Sequence, residues 1–138
     1  MKTFVASTVS VVLVSILFCP MVMAAPAMPD DVQIVQPDPS LPKEISAFWG
    51  KWEGADSGLQ HFLIVEKINE KEASLYCWNS DAHGISGGWQ RYEANVIKER
   101  GKYTIWFFGR FGNTELRLKG EYLNFDSQTM RPRLKRVP

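Results

Sequence analysis

Beyond residue 43, apolar side chains recur at every second position far more often than at helical spacing. Residues 59–68 centre on Phe62, Leu63, Ile64 and Val65, and residues 73–78 read Ala-Ser-Leu-Tyr-Cys-Trp. In 115–119, Leu116 and Leu118 alternate with Glu115, Arg117 and Lys119, which predicts a strand with one wet face. Further strands are predicted at 50–54, 89–98, 102–109, 121–125 and 130–137. Turn chemistry such as Asn69-Glu70-Lys71-Glu72 and Glu99-Arg100-Gly101 separates them. Short runs at regular spacing predict an all-β domain of about eight strands. No stretch sustains a 3.6-residue period, and at most a short helical turn is expected at 43–48. Short connections favour antiparallel neighbours, so the expected architecture is a small antiparallel meander barrel, with a β-sandwich as the alternative.

Two strands carry more apolar surface than such a barrel requires. Strict alternation in 102–109 places Tyr103, Ile105 and Phe107 on one face and Thr104, Trp106 and Phe108 on the other. In 59–68 it opposes Leu59, Leu63 and Val65 to Phe62, Ile64 and Ile68. A barrel in water needs one apolar face per strand. The surplus aromatic surface is therefore expected to meet a ligand or a protein partner.

The N-terminal region has a different composition. Lys2 precedes an almost uncharged apolar run from Phe4 to Phe18; Pro20 ends the run, and Val22-Met23-Ala24 sets small residues at a cleavage position. This is the pattern of a secretory signal peptide over residues 1–24, with the mature chain starting at Ala25. The expected location is periplasmic or secreted, with no integral membrane segment after cleavage. Residues 25–42 contain five prolines, three aspartates and no aromatic residue, which predicts a linker or spacer. The β-barrel domain is then residues 43–138.

Charge and cysteine content narrow the function classes. Removing Lys2 with the signal leaves fifteen basic and fifteen acidic side chains, so bulk electrostatic capture of nucleic acid is not expected. The basic run 131–136 reads instead as a last strand whose charges and Pro132 protect an edge. Cys19 departs with the signal, leaving Cys77 alone in an apolar strand, where a buried small hydrophobe is the expected role.

Phe48-Trp49-Gly50-Lys51-Trp52 resembles the Gly-x-Trp opening of lipocalins and related calycin barrels. The resemblance implies that Trp52 plugs one end of the barrel just after a short helical turn, with Gly50 permitting close packing beneath it. The remaining pattern resembles small exported bacterial β domains of unknown function, some adjacent or fused to serine hydrolases of the β-lactamase type. No catalytic residue is carried over from those hydrolases.

Chemistry-bearing residues are few. His61, His83, Cys77 and Asp56 match no metal-ligand spacing, and neither a metal nor a cofactor is expected. Gly84-Ile85-Ser86-Gly87-Gly88 matches the letters of a nucleophile elbow, but that device needs a strand-to-helix turn and a strand is predicted next. An enzyme is not expected, and a serine hydrolase using Ser86 remains the lesser alternative. All five tryptophans fall in the mature domain; Trp52 and Trp106 are expected in the core. Trp78 and Trp89 flank the glycine-rich loop 79–88, where a barrel mouth is expected, with Tyr76 and Arg91 as polar companions. These four residues form the predicted ligand-binding set. The expected function is a non-enzymatic exported module binding a small apolar or carbohydrate-like ligand, the alternative being an accessory protein-interaction domain of an envelope hydrolase system.

Overall fold

The structure, a computed structural model, describes residues 25–81 and 86–138. Residues 1–24, expected as a signal peptide, and positions 82–85 of the glycine-rich loop, His83 included, lie outside the described residues. A one-turn helix, α1 (Lys43–Ser46), precedes eight strands. These are β1 (Gly50–Asp56), β2 (Leu59–Ile68), β3 (Glu72–Asn79), β4 (Gly88–Glu99), β5 (Lys102–Gly109), β6 (Gly112–Lys119), β7 (Tyr122–Asp126) and β8 (Arg133–Val137). Each pairs antiparallel with the next, and β8 returns to β1, giving a closed meander barrel. Closure decides against the sandwich.

Local chemistry explains the connections. Ser57 and Gly58 both adopt positive φ between β1 and β2, as do Arg100 and Gly101 between β4 and β5. Two consecutive residues of this hand make the two-residue hairpin turn whose twist matches the flanking strands. Alternation does the rest. Trp52, Leu63, Val65, Leu75, Cys77, Val96, Ile105, Phe107, Leu116, Leu123, Phe125 and Leu134 point inward and form one core.

Strict alternation fails once, in β2. Val65 pairs with Leu75 and Lys67 with Ser74, so Glu66 is the extra residue of a β-bulge. Ile68 is thereby turned back into the core with Leu63 and Val65, instead of sharing the outer face with Phe62 and Ile64. Trp106 is also corrected: it is only partly buried and lies outside the core cluster, whereas its neighbours Ile105 and Phe107 are buried within it. The basic last strand is not an edge, because β8 bonds to both β1 and β7.

One end of the barrel is plugged. Ile45 and Phe48 are buried under α1, and Trp52 is buried beside them with its indole Nε1 donating to the Phe48 carbonyl at 2.9 Å. The Arg136 guanidinium stacks over the Trp52 ring at 4.4 Å and donates to the carbonyls of Ala47 and Trp49. A Cβ at Gly50, whose φ is +112°, would stand 2.8 Å from Arg136 Nη1. Only glycine meets both demands here.

The proline-rich segment is irregular, as its composition dictates, yet it does not stand away from the barrel. It crosses the outer face of β2, β3 and β4, and the Val35 amide donates to the Glu66 carbonyl at 2.9 Å. Leu41 packs against the core. Among the described residues, no helix is long and apolar enough to cross a membrane.

Candidate functional site

Register brings together all four residues of the predicted ligand-binding set. Trp78 of β3 stands opposite Trp89 of β4, and Tyr76 opposite Arg91. Because strand side chains alternate, these residues share the side that Cys77 avoids, and Cys77 is inside. The four therefore lie on the outer wall of the barrel, not in its mouth as expected. Phe62 and Ile64 of β2 extend the same face. The Phe62 and Trp78 rings meet edge-on at 5.4 Å, as do Tyr76 and Trp89 at 6.5 Å. The Arg91 guanidinium lies 5.7 Å from the centre of the Tyr76 ring.

The bulge aims Glu66 onto this face. Its carboxylate is 1% exposed. Oε1 accepts from the Gln33 amide at 2.7 Å, while Oε2 faces Arg91 Nη2 at 3.4 Å and has no hydrogen-bond donor among the described residues. A carboxylate taken out of water is costly unless it is paired, and here one charge partner and one backbone amide serve that purpose. Tyr76 Oη donates to Asp31 at 2.7 Å, and Trp89 Nε1 to the Ala27 carbonyl at 2.8 Å. Three polar groups of this face, on Trp89, Tyr76 and Glu66, are thus held by residues 27–35, while Arg91 pairs with Glu66 and Glu93. The hydrogen bond to Asp31, helped by loss of solvation, holds the Tyr76 phenol above the ordinary tyrosine range.

Beside the start of this segment is a cavity of about 350 Å³. Pro26 and Met28 line it on one side; Phe62, Ile64, Trp89 and Val137 line it on the other. Inside the barrel, Leu63, Val65, Leu75, Ile105, Leu116, Leu123 and Leu134 are buried, and the rings of Tyr92, Phe107 and Phe125 pack against one another.

The other chemistry candidates are scattered. His61 points inward, with Nδ1 2.8 Å from Asn79 Oδ1, and its Nε2 has no partner among the described residues. Cys77 is a free thiol buried in the core, and desolvation raises its pKa far above the nucleophilic range. No group of three metal-ligating side chains occurs among the described residues. Ser86 is exposed and leads into β4, a strand where a nucleophile elbow would have a helix. A Ser-x-x-Lys spacing occurs at Ser40-Leu41-Pro42-Lys43. Ser40 Oγ donates to Asp38 Oδ1 at 2.7 Å, and both Ser40 and Lys43 are exposed, so the spacing forms a turn before α1 and not a nucleophile pocket.

No family model, no curated protein and no solved structure matches this chain. The aromatic face has to be interpreted from its own geometry. Sequence reasoning missed Glu66, Asp31 and Arg136. Alternation cannot reveal a bulge, and the partners of Asp31 and Arg136 are distant in the chain.

Proposed function

We propose that this chain is an exported, non-enzymatic binding module that recognises a polypeptide segment on the outer face of β2, β3 and β4. The observation that carries the reading is that this face already holds a proline-bearing segment of the same chain, residues 27–35, which turns once at Pro29–Val32. Trp89, Tyr76 and Glu66 supply two side-chain donors and one side-chain acceptor to its backbone and its carboxylate. Aromatic walls with a few fixed polar groups are how peptide grooves combine affinity with register. Export rests on the signal-like residues 1–24. The Gly-x-Trp opening, the meander order and the Trp52 plug support a calycin-type barrel as the scaffold.

A second reading keeps a small apolar or carbohydrate-like ligand. What favours it is the cavity of about 350 Å³ beside Trp89, of a size typical for small-molecule sites. Selection from a displayed library of short peptides on the mature protein separates the two. Enrichment of acidic sequences, lost in Trp89→Ala and Arg91→Ala, is the expected result. No enriched sequence class, together with a Trp89-dependent response to apolar or sugar ligands, would move the function to the second reading. A hydrolytic activity abolished by Ser86→Ala would displace both.

A further inference from the structure

The segment over the aromatic face is held in an unusual way. Four polar contacts fix it: the Ala27 carbonyl to Trp89, the Asp31 carboxylate to Tyr76, and the Gln33 and Val35 amides to the side chain and carbonyl of Glu66. Its larger apolar side chains are divided: Pro29 and Val32 are partly buried, and three others are exposed. Met28, Ile34 and Val35 are 51%, 37% and 47% exposed. A segment evolved only to complete the barrel would turn those side chains inward, because apolar burial is the dominant stabilising term. Here the polar register is satisfied and Ile64 and Tyr76 are covered, while Met28, Ile34 and Val35 keep much of their surface in solvent. Beneath and beside it lie Ile64, Tyr76, Phe62 and Trp89, with a cavity that the segment does not fill.

Resting on the reading of this face as a peptide-binding surface, we infer that residues 27–35, with their turn at Pro29–Val32, are an intramolecular stand-in for an acidic segment of a partner protein, which binds by displacing them. The stand-in specifies the partner's chemistry. A backbone carbonyl meets Trp89; a carboxylate four residues later meets Tyr76, which Arg91 overlies. Backbone amides two and four residues beyond that carboxylate meet Glu66. Proline at either of those last two positions would remove a required donor. Apolar side chains in the partner that reach Phe62 and Trp89 would supply what Met28, Ile34 and Val35 withhold.

Tethering sets the size of the competition. A segment joined to its own site by a short linker acts at an effective concentration in the millimolar range. Residues 36–42 are such a linker, anchored at the barrel by Leu41. An outside peptide of equal intrinsic strength is therefore masked in the intact protein and emerges when the stand-in is weakened.

The probe is a labelled synthetic peptide with the sequence of residues 25–36, titrated against the full mature protein and against Asp31→Ala/Gln33→Pro. Both changes lie on the exterior segment, and far-ultraviolet circular dichroism confirms that the barrel is retained. The expected result is binding at least roughly tenfold tighter to the double variant than to wild type, in keeping with removal of a tethered competitor. Equal binding to both proteins overturns the stand-in while leaving the peptide-binding surface. Binding to neither, with library peptides still bound, overturns the acidic register assigned to the partner. No peptide bound at all removes the functional reading itself. A dimer in sedimentation that forms by exchange of the segment makes the occupant a second copy and overturns the partner. Hydrogen exchange on wild type is an independent check: the Gln33 and Val35 amides should exchange much faster than the Leu75 amide of the barrel. Equal protection overturns a displaceable segment.

Discussion

At the scale of single residues, Trp52 and its neighbours carry the clearest stability argument. The indole is buried, hydrogen-bonded to Phe48 and capped by Arg136, so its removal opens a void between α1 and the core. Trp52→Ala should cost about 3–5 kcal/mol, read as a lowered denaturation midpoint; a midpoint near wild type would contradict the plug role. Gly50→Ala should also destabilise, by roughly 1–3 kcal/mol, since it strains a positive φ and meets Arg136. The plug was legible because its motif is local: Gly50 and Trp52 are two residues apart. Arg136 was not, because its partners Trp49 and Ala47 lie 87 and 89 residues away. Cys77 offers a different check. Burial raises its thiol pKa, so a thiol reagent should leave it unmodified in the native protein and label it fully in denaturant. Rapid native labelling would show that the barrel wall at β3 opens.

At the scale of elements, strand identity was legible and strand facing was only partly so. The residues of β5 sort as period two requires, because nothing interrupts its ladder with β4 and β6. In β2 the extra residue Glu66 shifts every later side chain to the opposite face, and no local sequence signal marks it. The four residues of the predicted set come together as neighbours, but on the outer wall and not at the expected mouth. Trp78 and Trp89 do flank the loop, but a strand has two faces, and the sequence does not label which one is inside. The seam between β1 and β8 carries the prediction at this scale. A Cβ on Gly54 would stand 2.4 Å from the Arg133 carbonyl oxygen and 2.8 Å from Leu134 Cδ2. Backbone cannot give way as a flexible side chain can, so Gly54→Ala should part the start of β8 from β1. Faster hydrogen exchange confined to β8 and the end of β1 is the expected signature; unchanged exchange there would mean that the strands reach each other by another route.

At the scale of the whole molecule, the segment over the aromatic face links the N-terminal region to the barrel through contacts 33, 45 and 62 residues apart in sequence. Composition alone reads five prolines as a spacer, because proline reports on local backbone and is silent about distant acceptors. This docking has a definite alkaline limit. The Tyr76 phenol faces Asp31 of the segment, Glu66 of β2 and Arg91 of β4. Donation to Asp31 is the largest influence and favours the protonated phenol; the two carboxylates act in the same sense, and Arg91 opposes them. A group whose pKa is higher in the docked state binds its proton more tightly there. Its contribution to docking is therefore complete below the undocked value, about 10 for tyrosine, and is lost as pH rises from there through the docked value. Above that window a phenolate would stand against the Asp31 carboxylate, and the segment should lift from Trp89. Tryptophan emission followed from neutral to alkaline pH should show a step while the far-ultraviolet signal of the barrel is still native. Tyr76→Phe lacks both the proton and the bond, so it should show altered emission already at neutral pH and no alkaline step. A step of equal size in that variant would assign the transition to another tyrosine and separate docking from Tyr76.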